Sequence, residues 1–294
     1  MDTIEAITEQ NRKIINHWID KYFDKFKKQS RLVKAMIYGV SNGGKRIRPF
    51  LVIELSKFFD IPKTSYMNLA AAIELIHCYS LIHDDLPPMD NDDFRRGSLA
   101  THKKFDEATA ILAGNALYSL AINILSQKQT TPSADIQSRL CQLTTELAGV
   151  NGLLQGQSYD LLPKKKKPSK GDILNTYVLK TSKLFEIAMI APCLVAQSSK
   201  VVTKNAQIYG RNFGIIYQTI DDLLDKTGSS PRKSPNSKKK KDFSEITLVD
   251  VIGVEKSIRL CDKLAQEATK RKRIFGSDQL PFKDLIFDII ERRS

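Results

Sequence analysis

Apolar residues recur at intervals of three and four along nearly the whole chain, and no run alternates convincingly with period two. That pattern predicts an all-α protein. Leu69, Ala72, Ile73, Ile76 and residues 80–82 mark one face of a long helix that runs into an aspartate-rich segment. Leu140, Leu143, Leu147 and Val150 mark a second helix, and Phe213, Ile216, Ile220 and Leu224 a third. Breaks are expected at Gly43-Gly44, Pro87-Pro88 and Thr131-Pro132, and in the stretches 164–171, 228–242 and 276–281. Roughly eight to ten helices fit between them, with no solenoid repeat and no glycine fingerprint for a dinucleotide fold. One helical domain spanning 1–294 is the economical expectation.

Composition narrows the class. With 41% hydrophobic residues in 294, the chain can bury a sizeable core. No run of 18 apolar residues is apparent; Leu184–Ala196 is shorter and holds Glu186 and Pro192, so no transmembrane helix is expected. The N-terminus lacks a basic region followed by an apolar run, which argues against a secretory signal. Cys78, Cys141, Cys193 and Cys261 are scattered, unlike a disulfide framework or zinc site, and suit a reducing cytoplasm.

The net charge of +13 is concentrated rather than spread. Lys164 to Lys167 with Lys170 carry five positive charges, and Lys226, Arg232, Lys233 and Lys238 to Lys241 carry seven more. Both segments read as mobile basic loops, about 163–171 and 226–242. A nucleic-acid reader would instead distribute its cations along a face, so nucleic acid is not expected as a partner.

Two aspartate clusters carry the candidate chemistry. The first holds Asp84, Asp85, Asp90, Asp92 and Asp93, followed at once by Arg95 and Arg96. The second holds Asp221, Asp222 and Asp225. Each ends an otherwise apolar helix. Asp221 and Asp225, four residues apart, share a helix face and repel unless a cation lies between them. Pro87 and Pro88 break the first helix, and the turn they make brings Asp90 round. Carboxylates without His or Cys favour a hard cation such as magnesium, which keeps waters and bridges to substrate phosphates. Adjacent arginines add forks that match phosphate oxygens. Solvated acidic helix ends are the bland alternative, weakened by the pairing of two clusters with arginines.

With these motifs in their order, the chain resembles the short-chain trans-prenyl diphosphate synthase family, nearest its bacterial farnesyl diphosphate synthases. The resemblance runs from about residue 25 to the C-terminus. It rests on both aspartate motifs, Gly43 through Pro49, Glu74 through Asp85, Gly156-Gln157 with Asp160, Lys180-Thr181, and Tyr217-Gln218. It implies an isoprenoid-synthase helical bundle around a central apolar cavity, in a cytoplasmic homodimer without stable membrane insertion. The implied reaction joins dimethylallyl or geranyl diphosphate to isopentenyl diphosphate.

In the roles so implied, Asp84, Asp90, Asp221 and Asp225 hold magnesium, three ions per site, on the allylic diphosphate. Asp85 and Asp222 adjust the clusters or bind through water. Arg95 and Lys180 assist the leaving diphosphate, while Lys45, Arg48, His77 and Arg96 hold isopentenyl diphosphate. Thr181 and Gln218 turn oxygen dipoles toward the allylic cation. Tyr79, five residues before Asp84, closes the floor below the growing chain and Ser80 leaves space beside it, which goes with a fifteen-carbon product. Each residue also has an ordinary reading: His77 as a core histidine, Lys45 and Arg48 as surface cations, Gln218 bonded to a neighbour, Tyr79 as core packing.

The chain departs from that family after the second motif. Glu245 and Pro235 stand where lysines are expected, and Asn115 replaces an aspartate, although Thr247 is retained. Lys233 or Lys238 to Lys241 are candidates to replace the missing cation. Rival readings are a weakly active or non-catalytic subunit of another prenyl synthase, the same chemistry with a geranyl or geranylgeranyl product, a terpene cyclase, and a basic nucleic-acid-binding module.

Overall fold

The computed structural model describes residues 3–27, 29–162, 167–227, 246–269 and 280–292. Lys164 to Lys166, Lys233, Pro235, Lys238 to Lys241 and Glu245 lie outside them, and with them most of both basic loops. The described chain contains α1 (Ile4–Phe23), α2 (Arg31–Ser41), α3 (Ile47–Phe58), α4 (Lys63–Asp84), β1 (Phe94–Arg95), β2 (Ser98–Leu99), α5 (Thr101–Lys104) and α6 (Glu107–Leu125). There follow α7 (Ala134–Ala148), α8 (Leu153–Leu161), α9 (Lys170–Tyr177), a π-helical turn (Val178–Ser182), α10 (Lys183–Val195), α11 (Lys200–Thr227), α12 (Leu248–Ile252), α13 (Val254–Thr269) and α14 (Leu280–Glu291). Fourteen α-helical segments exceed the number read from the sequence because short turns such as α5 and α12 carry too few residues to show a period.

The contacts divide the chain into two compact units, the first of residues 1–142 and 194–196, the second of 143–193 and 197–294. In the first, α4 is the central element. Every residue from Met67 to Ile76 is buried, polar Asn68 and Glu74 included. The face expected from spacing is therefore a helix enclosed on all sides, packed by α1, α2, α3 and α6. Small residues on α6 (Ala110, Ala113, Gly114, Ala121) let it run close along α4, and a Cβ on Gly114 would meet His83 Nε2 at 2.3 Å. Asp106 caps α6, accepting from the Thr109 N–H at 2.7 Å. Among the described residues α6 is the one helix long and apolar enough, by length and composition, to cross a membrane, although the sequence pattern pointed to none.

The second unit is built on α11, whose 28 residues pack against α9, the π turn, α12, α13 and α14. Phe213, Ile216 and Ile220 are buried as the spacing predicts. Gly210 and Gly214 bring it close to α10 and the π turn, since a Cβ would meet Phe185 O at 2.6 Å and Ser182 Cα at 2.5 Å respectively. Val150 departs from its predicted face and is 75% exposed, because α7 ends at Ala148, before Gly149. The other correction is the hairpin β1–β2, whose two-residue strands are too short to show an alternating pattern.

Candidate active site

In the first unit the carboxylates are sorted by the end of α4. The helix stops at Asp84, and after Pro87 and Pro88 the chain folds back so that the Asp90 N–H donates to Asp84 O at 2.9 Å. Asn91 completes the turn with φ of 52°, a left-handed conformation that Asn tolerates better than most. Asp84 is left partly exposed and Asp90 exposed, whereas Asp85 points inward and is only 2% exposed. Arg95 answers it from β1, donating Nε at 2.8 Å and also Nη2 to Asp85 Oδ1, and Nη2 to Asp92 at 3.1 Å. Burial raises the Asp85 pKa and Arg95 opposes that rise. Arg95, expected on the leaving diphosphate, is thus also the counter-ion of a buried carboxylate.

The hairpin that carries Arg95 turns at Arg96 and Gly97, both at positive φ (54° and 80°), the backbone of a type I′ turn. Arg96 reaches back and donates to Gly43 O. Gly44, at φ of 118°, leaves room for that guanidinium: a Cβ there would lie 2.5 Å from Arg96 Nη1. Arg46 starts α3, also at positive φ, and is buried in an ion pair with Glu74 at 2.5 Å, with further bonds to Val40 O and Asn16. His77, one turn after Glu74 on α4, feels this concentration of charge. Its pKa is driven well below the ordinary value, by desolvation first and then by Arg48, Arg96, Arg46 and Arg95. Lys45 is exposed in the same loop and Arg48 half-buried on α3. A small cavity lined by Asn42, Leu81, Asp85, Arg95 and Arg96, among others, opens between these segments. Such a set of cations around a neutral histidine fits a polyanion.

In the second unit Asp221 and Asp225 are partly exposed on α11 and Asp222 is buried. Asp222 accepts from the Tyr177 hydroxyl and, at 3.1 Å, from Gln218 Nε2, while Thr181 Oγ1 donates to Gln218 Oε1 at 3.1 Å. Burial raises the Asp222 pKa to about 7; the bonds from Tyr177 and Gln218 act against that rise, and Asp221 and Asp225 reinforce it. Lys180 and Thr181 sit in the π turn, whose extra residue per turn re-aims side chains relative to an α-helix. Lys180 Nζ lies 2.6 Å from Asp160 Oδ2 on α8. The close approach depends on Gly156, where a Cβ would fall 2.2 Å from Lys180 N.

Sequence reasoning missed Glu74 as the partner of Arg46, and Tyr177 altogether, since nothing in their spacing links them to the clusters. Tyr79 is buried on α4, in ring contact with Tyr118 of α6, and Ser80 is buried beside it with its hydroxyl on His77 O. Asn115, where an aspartate was expected, lies on the exposed side of α6. Thr247 caps α12 in a reciprocal box with Asp250. Among the described residues no three His, Cys, Asp or Glu side chains form a ready metal cage. Asp84 and Asp90 in the first unit, and Asp221 and Asp225 in the second, are exposed or partly exposed hard oxygen donors, of the kind that suits magnesium completed by water and substrate oxygens.

The polyprenyl synthetase family matches residues 29–270. The chain belongs to this family of prenyl transferases. It is 37% identical to a farnesyl diphosphate synthase of Micrococcus luteus, over 96% of this chain and 97% of that one. A geranylgeranyl pyrophosphate synthase of Arabidopsis thaliana is 35% identical over 84% of this chain and 67% of its own length. Among solved structures, an FPP/GFPP synthase from Zymomonas mobilis superimposes with a TM-score of 0.88 at 30% identity, covering 98% of both chains. The fold is that of the isoprenoid synthases, and both aspartate clusters lie inside the segment that the polyprenyl synthetase family matches.

Proposed function

We propose that the protein condenses dimethylallyl or geranyl diphosphate with isopentenyl diphosphate to give (E,E)-farnesyl diphosphate. The observation that carries this reading is the sorting at the end of α4: Asp84 and Asp90 reach solvent, joined by a backbone bond, while Asp85 turns inward onto Arg95, and Arg48, Arg96, Arg46 and Arg95 all act on His77.

In this reading Asp84, Asp90, Asp221 and Asp225 hold magnesium, three ions per site, with Asp85 and Asp222 acting behind them. Bound magnesium would neutralise the charge that develops on the departing diphosphate. Arg95 and Lys180 stabilise the same charge by hydrogen bonding. Lys45, Arg48, Arg96 and His77 bind the diphosphate of the second substrate, whose double bond then attacks the allylic carbon. Thr181 and Gln218 present oxygen dipoles to the cation. Loss of a proton to the departed diphosphate completes the step. Water must be kept out, because it would convert the cation to an alcohol.

Tyr79 and Ser80 set the product at fifteen carbons. The protein acts in the cytoplasm as a homodimer; exposed Ile111 and Leu112 on α6 support the dimer alone. Purified protein with magnesium, dimethylallyl diphosphate and isopentenyl diphosphate should yield a fifteen-carbon diphosphate by mass. A ten- or twenty-carbon product would correct the length. No product unless a second synthase subunit is added would overturn the reading in favour of a non-catalytic subunit.

A further inference from the structure

The bonds from Tyr177 to Thr181 form one directional chain within the second unit. The Tyr177 hydroxyl accepts the Leu248 N–H at 3.0 Å, so its own proton is free for Asp222 Oδ2. Leu248 is the first residue of α12, and Tyr177 packs there with Ile173 and Leu248 in a buried apolar cluster. Asp222 Oδ1 receives Gln218 Nε2. With the Tyr177 hydroxyl donating to one oxygen of Asp222 and Gln218 Nε2 to the other, Asp222 is an acceptor on both sides, and the Gln218 amide turns its nitrogen to Asp222 and leaves its carbonyl oxygen for Thr181. Thr181 in turn spends its proton on that carbonyl and keeps its own lone pairs as acceptors.

We infer that Tyr177 is a positioning residue for the prenyl transfer. It fixes Asp222 by a second bond, Asp222 sets the orientation of the Gln218 amide, and that orientation points the negative ends of Gln218 and Thr181 where a cation is to be stabilised. The inference rests on the roles proposed for Gln218 and Thr181. Tyr177 touches no substrate itself; it acts through two intermediaries, and the fixed dipoles then need no rearrangement as charge develops. A buried phenol on the same carboxylate also keeps Asp222 Oδ2 from lacking a donor, which a buried carboxylate does not tolerate without loss.

Tyr177→Phe keeps the ring and removes one oxygen. The expected result is a fall in kcat of about 10- to 100-fold, the range for a hydrogen bond to a charged group. The KM for isopentenyl diphosphate, whose proposed binding residues Lys45, Arg48, Arg96 and His77 make none of these bonds, should change less than about twofold. A larger share of geranyl diphosphate should end as geraniol: the allylic C–O bond breaks, water supplies the new oxygen and one proton is released. Tyr177→His, whose ring N–H can still donate to Asp222, should recover part of the kcat. Equal losses in Phe and His, or a Phe variant that is less stable but unchanged in kcat and alcohol share, would overturn the inference. Independently of activity, the side-chain amide protons of Gln218 should exchange slowly by NMR in the native protein and quickly in Tyr177→Phe. If the native protein makes no prenyl product, the functional reading fails while this exchange measurement still decides the role of Tyr177; equal exchange in both proteins would refute it.

Discussion

Tyr79 and Tyr118 meet ring to ring across α4 and α6, with centroids 5.3 Å apart and planes inclined by 57°. Tyr79 also sets an edge against His83 at 4.9 Å, and His83 bonds Ile111 O on α6 at 3.1 Å. The aromatic proposed as the floor, about 7.5 Å below Asp84 by helix rise, is therefore buttressed from a second helix rather than free to swing aside. Tyr79→Ala should shift the product toward twenty carbons or more. Tyr118→Ala should do the same to a smaller degree, because Tyr79 gains room to turn. Product mass from each variant checks this, and farnesyl diphosphate alone from both would remove the floor role.

Asp85 and Arg95 form a pair whose disruption should be pH-dependent. The Asp85 side chain is 3% exposed, and its pKa is already raised by burial with Arg95 holding it back. Arg95→Ala would raise it further. Between the ordinary carboxylate pKa and this raised one the folded state holds more protons than the unfolded, so stability falls as pH rises. The variant should thus lose more stability at pH 8 than at pH 5, with a deficit of about 3–5 kcal/mol for a buried charge left without its partner. Urea denaturation at both pH values measures it; a deficit independent of pH would show that Asp85 is not the group responsible.

These two cases show what the sequence could and could not disclose. Helices were legible because burial of α4 and α11 imposes a 3.6-residue period, and both aspartate clusters because carboxylates at the end of apolar helices stand out against it. Their sorting was not legible. Asp84 and Asp85 are neighbours in the same letters, yet one stays open and the other is buried on Arg95, a difference made by the direction each side chain leaves the helix and by a hairpin of two-residue strands. Tyr177 and Glu74 escaped notice because their partners lie 45 and 28 residues away.

The thiols should divide three to one. Cys78, Cys193 and Cys261 are at most 1% exposed, and burial pushes Cys78 up to about 11 and Cys193 up to about 12. Cys141 is partly exposed and only raised. Since the thiolate is the reactive species, a thiol reagent at pH 8 should label one cysteine in the native protein and all four in denaturant. Cys141→Ser should abolish the native labelling. Rapid reaction of two or more thiols would contradict the burial of the other three.

Gly156 tests whether the π turn is held where the chemistry needs it. A Cβ there would lie 2.2 Å from Lys180 N and 2.6 Å from Lys180 Cα, both main-chain atoms that no rotamer change can move. Gly156→Ala must therefore push α8 and the π turn apart, at about 1–3 kcal/mol for overpacking. Because Lys180 and Thr181 ride on that turn, kcat should fall by more than the stability loss alone explains. Gly171→Ala is the matched control, with nothing nearer than Ser169 Oγ at 3.6 Å and an exposed position in α9. It should leave activity intact and stability unchanged or slightly higher, because alanine favours helix over glycine. Thermal unfolding and steady-state assay of both variants distinguish the cases: Gly156→Ala matching the native protein in both would mean that α8 and the π turn are not in the close contact on which the placement of Lys180 depends.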